Sequence, residues 1–212
     1  EYTGAEIRPT ITIKDNGTTL VNGTDYDIAY TNNVNVGTAT VTITYKGNYT
    51  GKVDKTFEIT KKTMTVVPTS GQSKIYGSND PVLVYTSSGM ISGQTPAFNG
   101  ALSRTTGENV GTYAINKGTL ALKDNGTFLA NNYNLVLSGT VVNFTINTKS
   151  SSTLTASLNM TSYTYDGNKK IPTATVKDGS KTLTSGTDYT LSYVNNTNAG
   201  EATATITFKG NY

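Results

Sequence analysis

Residues 2–49 read YTGAEIRPTITIKDNGTTLVNGTDYDIAYTNNVNVGTATVTITYKGNY, and residues 165–212 read YDGNKKIPTATVKDGSKTLTSGTDYTLSYVNNTNAGEATATITFKGNY. The two stretches align without a gap at an offset of 163, with 27 identities over 48 positions. A duplication of this length is a repeated domain, not a repeated strand or blade.

The retained residues read as the skeleton of a β-fold. Thr10 to Ile13 alternates with period 2 and meets Lys14-Asp15-Asn16-Gly17, a hairpin signal. Gly23-Thr24-Asp25-Tyr26 leads into Tyr26, Ile28 and Tyr30, which share one strand face, with Asp27 and Ala29 on the other. Asn32-Asn33 through Gly37 is a turn region suited to positive φ. Ala39, Val41 and Ile43 then alternate with threonines. After the turn Lys46-Gly47-Asn48-Tyr49, Val53 to Ile59 supplies a closing strand. No segment carries a 3.6-residue period with caps, so helix content is expected to be very low.

Residues 61–147 form a different unit. Lys62 to Val67 is a candidate opening strand. Asp80-Pro81 restricts a loop ahead of a strand Val82 to Tyr85. Further strands are expected near Tyr113 to Ile115, Leu120 to Lys123, Asn134 to Leu137 and Val141 to Ile146. A strand over Ser152 to Asn159 then opens the second copy of the repeat, with Leu154, Ala156 and Leu158 on one face. The expected organisation is three modules, 1–60, 61–149 and 150–212, joined by short linkers in an extended arrangement.

Composition agrees with many short strands. Thr, Asn, Gly and Tyr dominate, 35% of residues are hydrophobic and 15% charged. Thr and Tyr suit a half-buried pleated surface, and Gly and Asn suit turns. The chain has no Cys, His or Trp, which excludes disulfides and thiolate or imidazole metal sites. Cysteine count therefore says nothing about compartment. No apolar run reaches 18 residues, so no membrane insertion by a helix is expected. The net charge of +3 comes from scattered Lys and Arg, without the clustered basic face that nucleic acid requires.

The outer units resemble the Ig-like repeats of large Gram-positive surface proteins, through Tyr2-Thr3-Gly4, Gly23 to Tyr26, Tyr30 to Gly37 and Lys46 to Tyr49, and their second-copy counterparts. The middle unit resembles the bacterial MBG-type repeat. It carries Tyr76-Gly77 before Asp80-Pro81, then Leu102-Ser103-Arg104, Gly107 to Tyr113 and Asn132 to Leu135. The resemblance implies an all-β chain of tandem immunoglobulin-like β-sandwich modules from a secreted bacterial protein displayed at the cell surface. It also implies an adhesin or other cell-wall protein whose repeats act as stalk or spacer. No LPxTG-like sorting motif lies in the chain, so wall attachment would come from sequence outside it.

No catalytic site is expected. Without His or Cys the common nucleophilic dyads and triads cannot form. A glycosidase-like carboxylate pair at Asp25 and Asp27 has only Asp188 and Thr190 opposite it in the second copy. Asp15-Asn16-Gly17 and Asp124-Asn125-Gly126 begin like calcium loops but lack the downstream acidic ligand, so they read as turns. No cofactor or metal is expected. Asp25 and Asp188 read as acceptors for local backbone N–H groups. Seven Asn-x-Ser/Thr sequons follow from a Thr- and Asn-rich composition.

The alternative function is binding of a host or environmental glycan or mucin. Sugar sites present flat aromatics beside polar groups, and the middle unit offers Tyr76, Tyr85, Tyr113 and Tyr133. The other expected partners are neighbouring modules of the same longer chain. A spontaneous Lys–Asn cross-link is not expected, because Lys14 and Lys177 fall at turn entrances. The alignment leaves the first copy without a counterpart of Ser152 to Asn159, and the second without one of Val53 to Ile59. The expectation is a segment of a longer array whose ends fall inside modules.

Overall fold

A computed structural model describes residues 1–212, and it is all-β: nineteen strands and two single-turn 3₁₀ helices, Ala130–Asn132 and Ser151–Thr153. The chain divides into two compact units. One comprises Glu1–Thr69, Leu83–Ser103 and Asn116–Thr140, and the other Ser70–Val82, Arg104–Ile115 and Val141–Tyr212. Each unit thus combines one copy of the repeat with part of the middle segment.

In the first unit, Lys14–Asp15 and Thr18–Thr19 pair across Asn16 and Gly17, whose φ values of 46° and 92° suit the tight hairpin turn their Asn-Gly sequence favours. Strands Tyr26–Thr31, Gly37–Tyr45 and Lys52–Ile59 form an antiparallel sheet in chain order. The period-2 pattern falls as expected: Ala39, Val41 and Ile43 are buried, and Tyr26 heads the inward face of its strand. Leu20, Tyr26 and Ile43 form a core with Ile11, Ile13, Ile28, Tyr45 and Tyr49 packed around it. Thr10 to Ile13 keeps its alternation, with Ile11 and Ile13 turned inward, but is not part of a strand ladder; only Leu20 N–H reaches the Ile13 carbonyl.

The same unit holds Lys62–Pro68 between Tyr133–Leu137, which runs parallel to it, and Tyr85–Ser88, which runs antiparallel. The ladder expected from Val82 begins only at Tyr85. Val82 and Val84 lie exposed, Val84 accepting a hydrogen bond from Thr69 N–H. Ala97–Asn99 and Ala121–Lys123 make a separate antiparallel pair.

In the second unit, Asn143–Asn147 pairs antiparallel with Gly111–Asn116 and parallel with Ser73–Ile75. The repeat copy contributes Thr155–Leu158, Ala174–Asp178 and Lys181–Thr182 in one sheet, and Tyr189–Val194 with Thr203–Phe208 in another. Its core is Val176, Leu183, Tyr189 and Tyr212, with Leu154 packed against it. Of the face expected from Leu154, Ala156 and Leu158, only Leu154 turns inward. Thr155–Leu158 is exposed along its whole length, as an edge strand.

Candidate functional site

Four charged side chains of the second unit meet in one cluster. Lys74 is 8% exposed, and its Nζ lies 2.7 Å from Asp80 and also contacts Glu108. Arg104 grips Asp80 with both ends of its guanidinium, Nε to Oδ2 at 2.7 Å and Nη2 to Oδ1 at 3.0 Å. Its Nη2 also reaches Glu108 Oε1 at 2.6 Å. Nη1 donates to the carbonyls of Thr105 and Gly107, while the guanidinium sits 5.0 Å from the Tyr113 ring centre and 5.4 Å from that of Phe144. The Arg104 guanidinium, with Lys74 behind it, lowers the Asp80 carboxyl to a pKa of about 2. The same two cations lower Glu108. Two cations face two anions, so the cluster is neutral and works as a clasp between the Asp80-Pro81 loop and the 104–108 turn.

The tyrosines read as glycan candidates fall in different places. Tyr85 and Tyr133 belong to the first unit, Tyr76 and Tyr113 to the second. Tyr133 is 2% exposed, stacked on Phe128 at 4.8 Å, with its hydroxyl bonded to Gln94 Oε1 and receiving Ile91 N–H at 3.1 Å. Tyr85 meets Phe98 edge-on at 5.4 Å, and burial raises its hydroxyl pKa. Tyr113 lies under Arg104 and donates to the Asn109 carbonyl at 2.6 Å. Tyr76 meets Tyr212 edge-on at 5.4 Å, and Lys181 Nζ donates to both hydroxyls, at 3.0 and 3.2 Å. Only Tyr133 is fully buried; the other three are half-buried.

Another concave feature lies elsewhere, in the second copy of the repeat. It is a cleft of about 640 Å³ between residues 158 and 204, lined among others by Tyr163, Tyr165, Lys170, Tyr193 and Asn196. Its frame is hydrogen-bonded. Lys170 N–H donates to the Asn196 carbonyl at 2.7 Å, and Asn196 Nδ2 returns to the Lys170 carbonyl at 2.8 Å. The Tyr193 hydroxyl donates to the Pro172 carbonyl. Tyr165 is 62% exposed and Tyr163 40%. Exposed phenol rings beside amides can bind a surface. Sequence reasoning missed this cleft, although Tyr163-Thr164-Tyr165 carries the signal of two aromatics two positions apart.

Three further aspartates accept from local backbone N–H groups, while Asp27 pairs with Lys46 at 2.8 Å. Asp25 accepts from Val21 N–H at 2.7 Å and Asp188 from Thr184 N–H at 2.8 Å, as expected of local acceptors. Asp124 accepts from Ala130 N–H at 2.7 Å. No group of three or more acidic side chains is gathered at metal-binding distance, and no helix is long and apolar enough to cross a membrane.

Residues 64–141 match a known family, the MBG domain (YGX type), and the matched stretch contains Tyr76-Gly77-Ser78. No curated protein and no solved structure matches the chain.

Proposed function

We propose that this chain is a non-catalytic stalk segment of a bacterial cell-surface protein of the adhesin kind, extracellular and attached to the wall through sequence elsewhere. Its modules, 1–60, 61–149 and 150–212, are immunoglobulin-like sandwiches strung end to end. The observation that carries this reading is the repeat: both copies keep the same turn, tyrosine and asparagine skeleton, and in both the Tyr30/Tyr193 hydroxyl and the Asn33/Asn196 amide bond the copy's own backbone. Such groups specify a shape. The MBG match of residues 64–141 supports the surface setting. Small-angle scattering tests the arrangement: a strung chain has a radius of gyration well above the roughly 17 Å of a compact sphere of this length, and a value near 17 Å overturns it.

A second reading, recognition of a glycan or mucin, draws on the cleft with its exposed Tyr163 and Tyr165. A glycan array with the intact chain and with Tyr165→Ala tests it. Binding that the substitution abolishes supports it, and an array without signal removes it.

A further inference from the structure

Tyr2 and Tyr165 hold the same position in the two copies of the repeat, yet Tyr2 is 4% exposed and Tyr165 62%. The local frames do not differ. Ile7 N–H donates to Asn33 at 2.8 Å, as Lys170 N–H does to Asn196 at 2.7 Å. The Tyr30 hydroxyl donates to the Pro9 carbonyl, as Tyr193 does to Pro172. Gly4 and Gly167 have φ of 79° and 77°, and Asn32 and Asn195 have 56° and 57°. The difference in exposure comes from what lies on top.

In the first copy the face is covered by the middle segment. The Tyr2 ring meets Tyr133 edge-on at 5.5 Å, and its hydroxyl receives Gln94 Nε2 at 3.0 Å. Asn132 accepts from Val36 N–H and donates to Asn35 Oδ1, both at 2.9 Å. Gly4 is glycine for a second reason besides its φ: a Cβ there would stand 2.9 Å from Ile91 Cγ2. The approach is fixed by Lys52–Ile59, which covers the edge of Gly37–Tyr45, and by Tyr2 N–H donating to the Thr60 carbonyl at 2.8 Å.

The second copy repeats the receiving groups: Tyr165 for Tyr2, Gly167 for Gly4, Asn198 for Asn35, and the backbone N–H of Ala199 for that of Val36. All four residues are exposed, and a Cβ on Gly167 would meet nothing within 4 Å. The cleft beside them reaches Thr203 and Ala204, at the start of Thr203–Phe208, whose open edge is the counterpart of the one that Lys52–Ile59 covers in the first copy.

We propose that the face formed by Tyr165, Gly167, Asn198 and Ala199 is a docking surface for a second MBG-type segment. That partner presents groups placed as Ile91, Gln94, Asn132 and Tyr133 are here, and a strand just ahead of it, placed as Lys52–Ile59 is in the first copy, pairs with the open edge of Thr203–Phe208. The proposal goes beyond the stalk reading and does not need it, since it rests on the occupied face of the first copy. It opposes the glycan reading of the cleft, because a face covered by protein is closed to sugar.

The test extends the intact chain. Tyr212 matches Tyr49, so a second copy of residues 50–147 is joined directly after Tyr212. Nitration by tetranitromethane is then followed at each tyrosine by peptide mass spectrometry, with Tyr2 as internal reference. Tyr165 is expected to react at least about tenfold more slowly in the extended chain, because reaction then waits on opening of the interface. Tyr165→Ala is expected to leave the melting temperature of the 212-residue chain unchanged and to lower that of the extended chain. Equal Tyr165 reactivity in the two chains, or an equal effect of Tyr165→Ala in both, overturns the proposal. So does protection in the 212-residue chain that grows with its concentration, which assigns the face to a second copy of this chain.

Discussion

Asp80 and Arg104 form a two-pronged ion pair, 2.7 and 3.0 Å, in which the guanidinium side chain is 6% exposed and the carboxylate side chain 41%. The asymmetry decides what happens when one partner is lost. Asp80→Asn leaves Arg104 and Lys74 with only Glu108 opposite them, and Glu108 is the more exposed of the two acids. A fully buried pair broken in this way costs about 3–5 kcal/mol, and water at the Asp80 side reduces that to about 1–3 kcal/mol here. Urea melts of the two proteins measure the difference. A change below about 0.5 kcal/mol, typical of surface pairs, would remove the clasp from the account.

The same pair sets an acid limit. Asp80 titrates at about 2 in the folded chain against an ordinary 3.8, so its folded-state pKa is lowered. A lowered carboxylate pKa stabilises the fold fully above the unfolded value, and that contribution disappears as pH falls through the folded one. The stability gap between the native chain and Asp80→Asn is therefore constant from neutral pH to roughly 4 and closes towards pH 2. Melting temperatures across that range check this, and a gap that stays constant down to pH 2 contradicts it.

Two glycines with similar backbone angles should respond differently to alanine. Gly100 has φ 69° and a Cβ there would stand 2.2 Å from the Thr119 carbonyl oxygen; Gly126 has φ 56° with nothing within 4 Å. Gly126→Ala carries only the left-handed penalty of about 1 kcal/mol. Gly100→Ala must also displace backbone, and should cost about 2 kcal/mol more. Equal losses in denaturant melts would show that the loop at Thr119 yields freely.

The cross-link question has a simple readout. Lys14 and Lys177 are both exposed, so neither sits in the buried trio such a bond needs. The intact mass is expected to equal the sequence mass, and a deficit of one ammonia would overturn this.

Local pattern made the strands legible and left their partners hidden. The alternation of Ala39, Val41 and Ile43 marks a buried face, and Asn16-Gly17 marks a hairpin, because both signals act within a few residues. The parallel pairing of Lys62–Pro68 with Tyr133–Leu137 is invisible to such reading, since period 2 says which face is buried and nothing of what lies alongside. Val82 looks like strand by composition, yet the ladder begins at Tyr85. The clasp draws Lys74, Asp80, Arg104 and Glu108 from separate stretches of the second unit, and the cleft joins residues near 163 to residues near 199. Neither is a motif. What the repeat did carry is the list of positions that matter, including Tyr165, whose exposure gains meaning only beside Tyr2.

Asn132 offers the sharpest test of how the middle segment holds the first copy. It is 1% exposed, and its amide is used at both ends: Oδ1 accepts from Val36 N–H, and Nδ2 donates to Asn35 Oδ1, each at 2.9 Å. The backbone donor at Val36 fixes which end is oxygen, because a flipped amide would set N–H against N–H. Asn132→Ala removes both bonds, and the partners recover water only in part, so the loss should be about 1–3 kcal/mol. Asn132→Asp keeps the shape and the bond from Val36 but sets a carboxylate against the Asn35 oxygen. Ionised and buried, that group is unfavourable; protonated, it can donate where Nδ2 did. Burial and the facing oxygen both raise its pKa in the folded chain, so folding takes up a proton and is weakened as pH rises above the ordinary carboxylate range. Relative to the native chain, Asn132→Asp should therefore be markedly less stable at pH 7 than at pH 4, while Asn132→Ala carries the same penalty at both. Tyrosine fluorescence in urea reads both substitutions at both pH values. If the aspartate penalty did not change with pH, the carboxylate would be reaching water, and the contact between Asn132 and Asn35 would be looser than 2.9 Å implies.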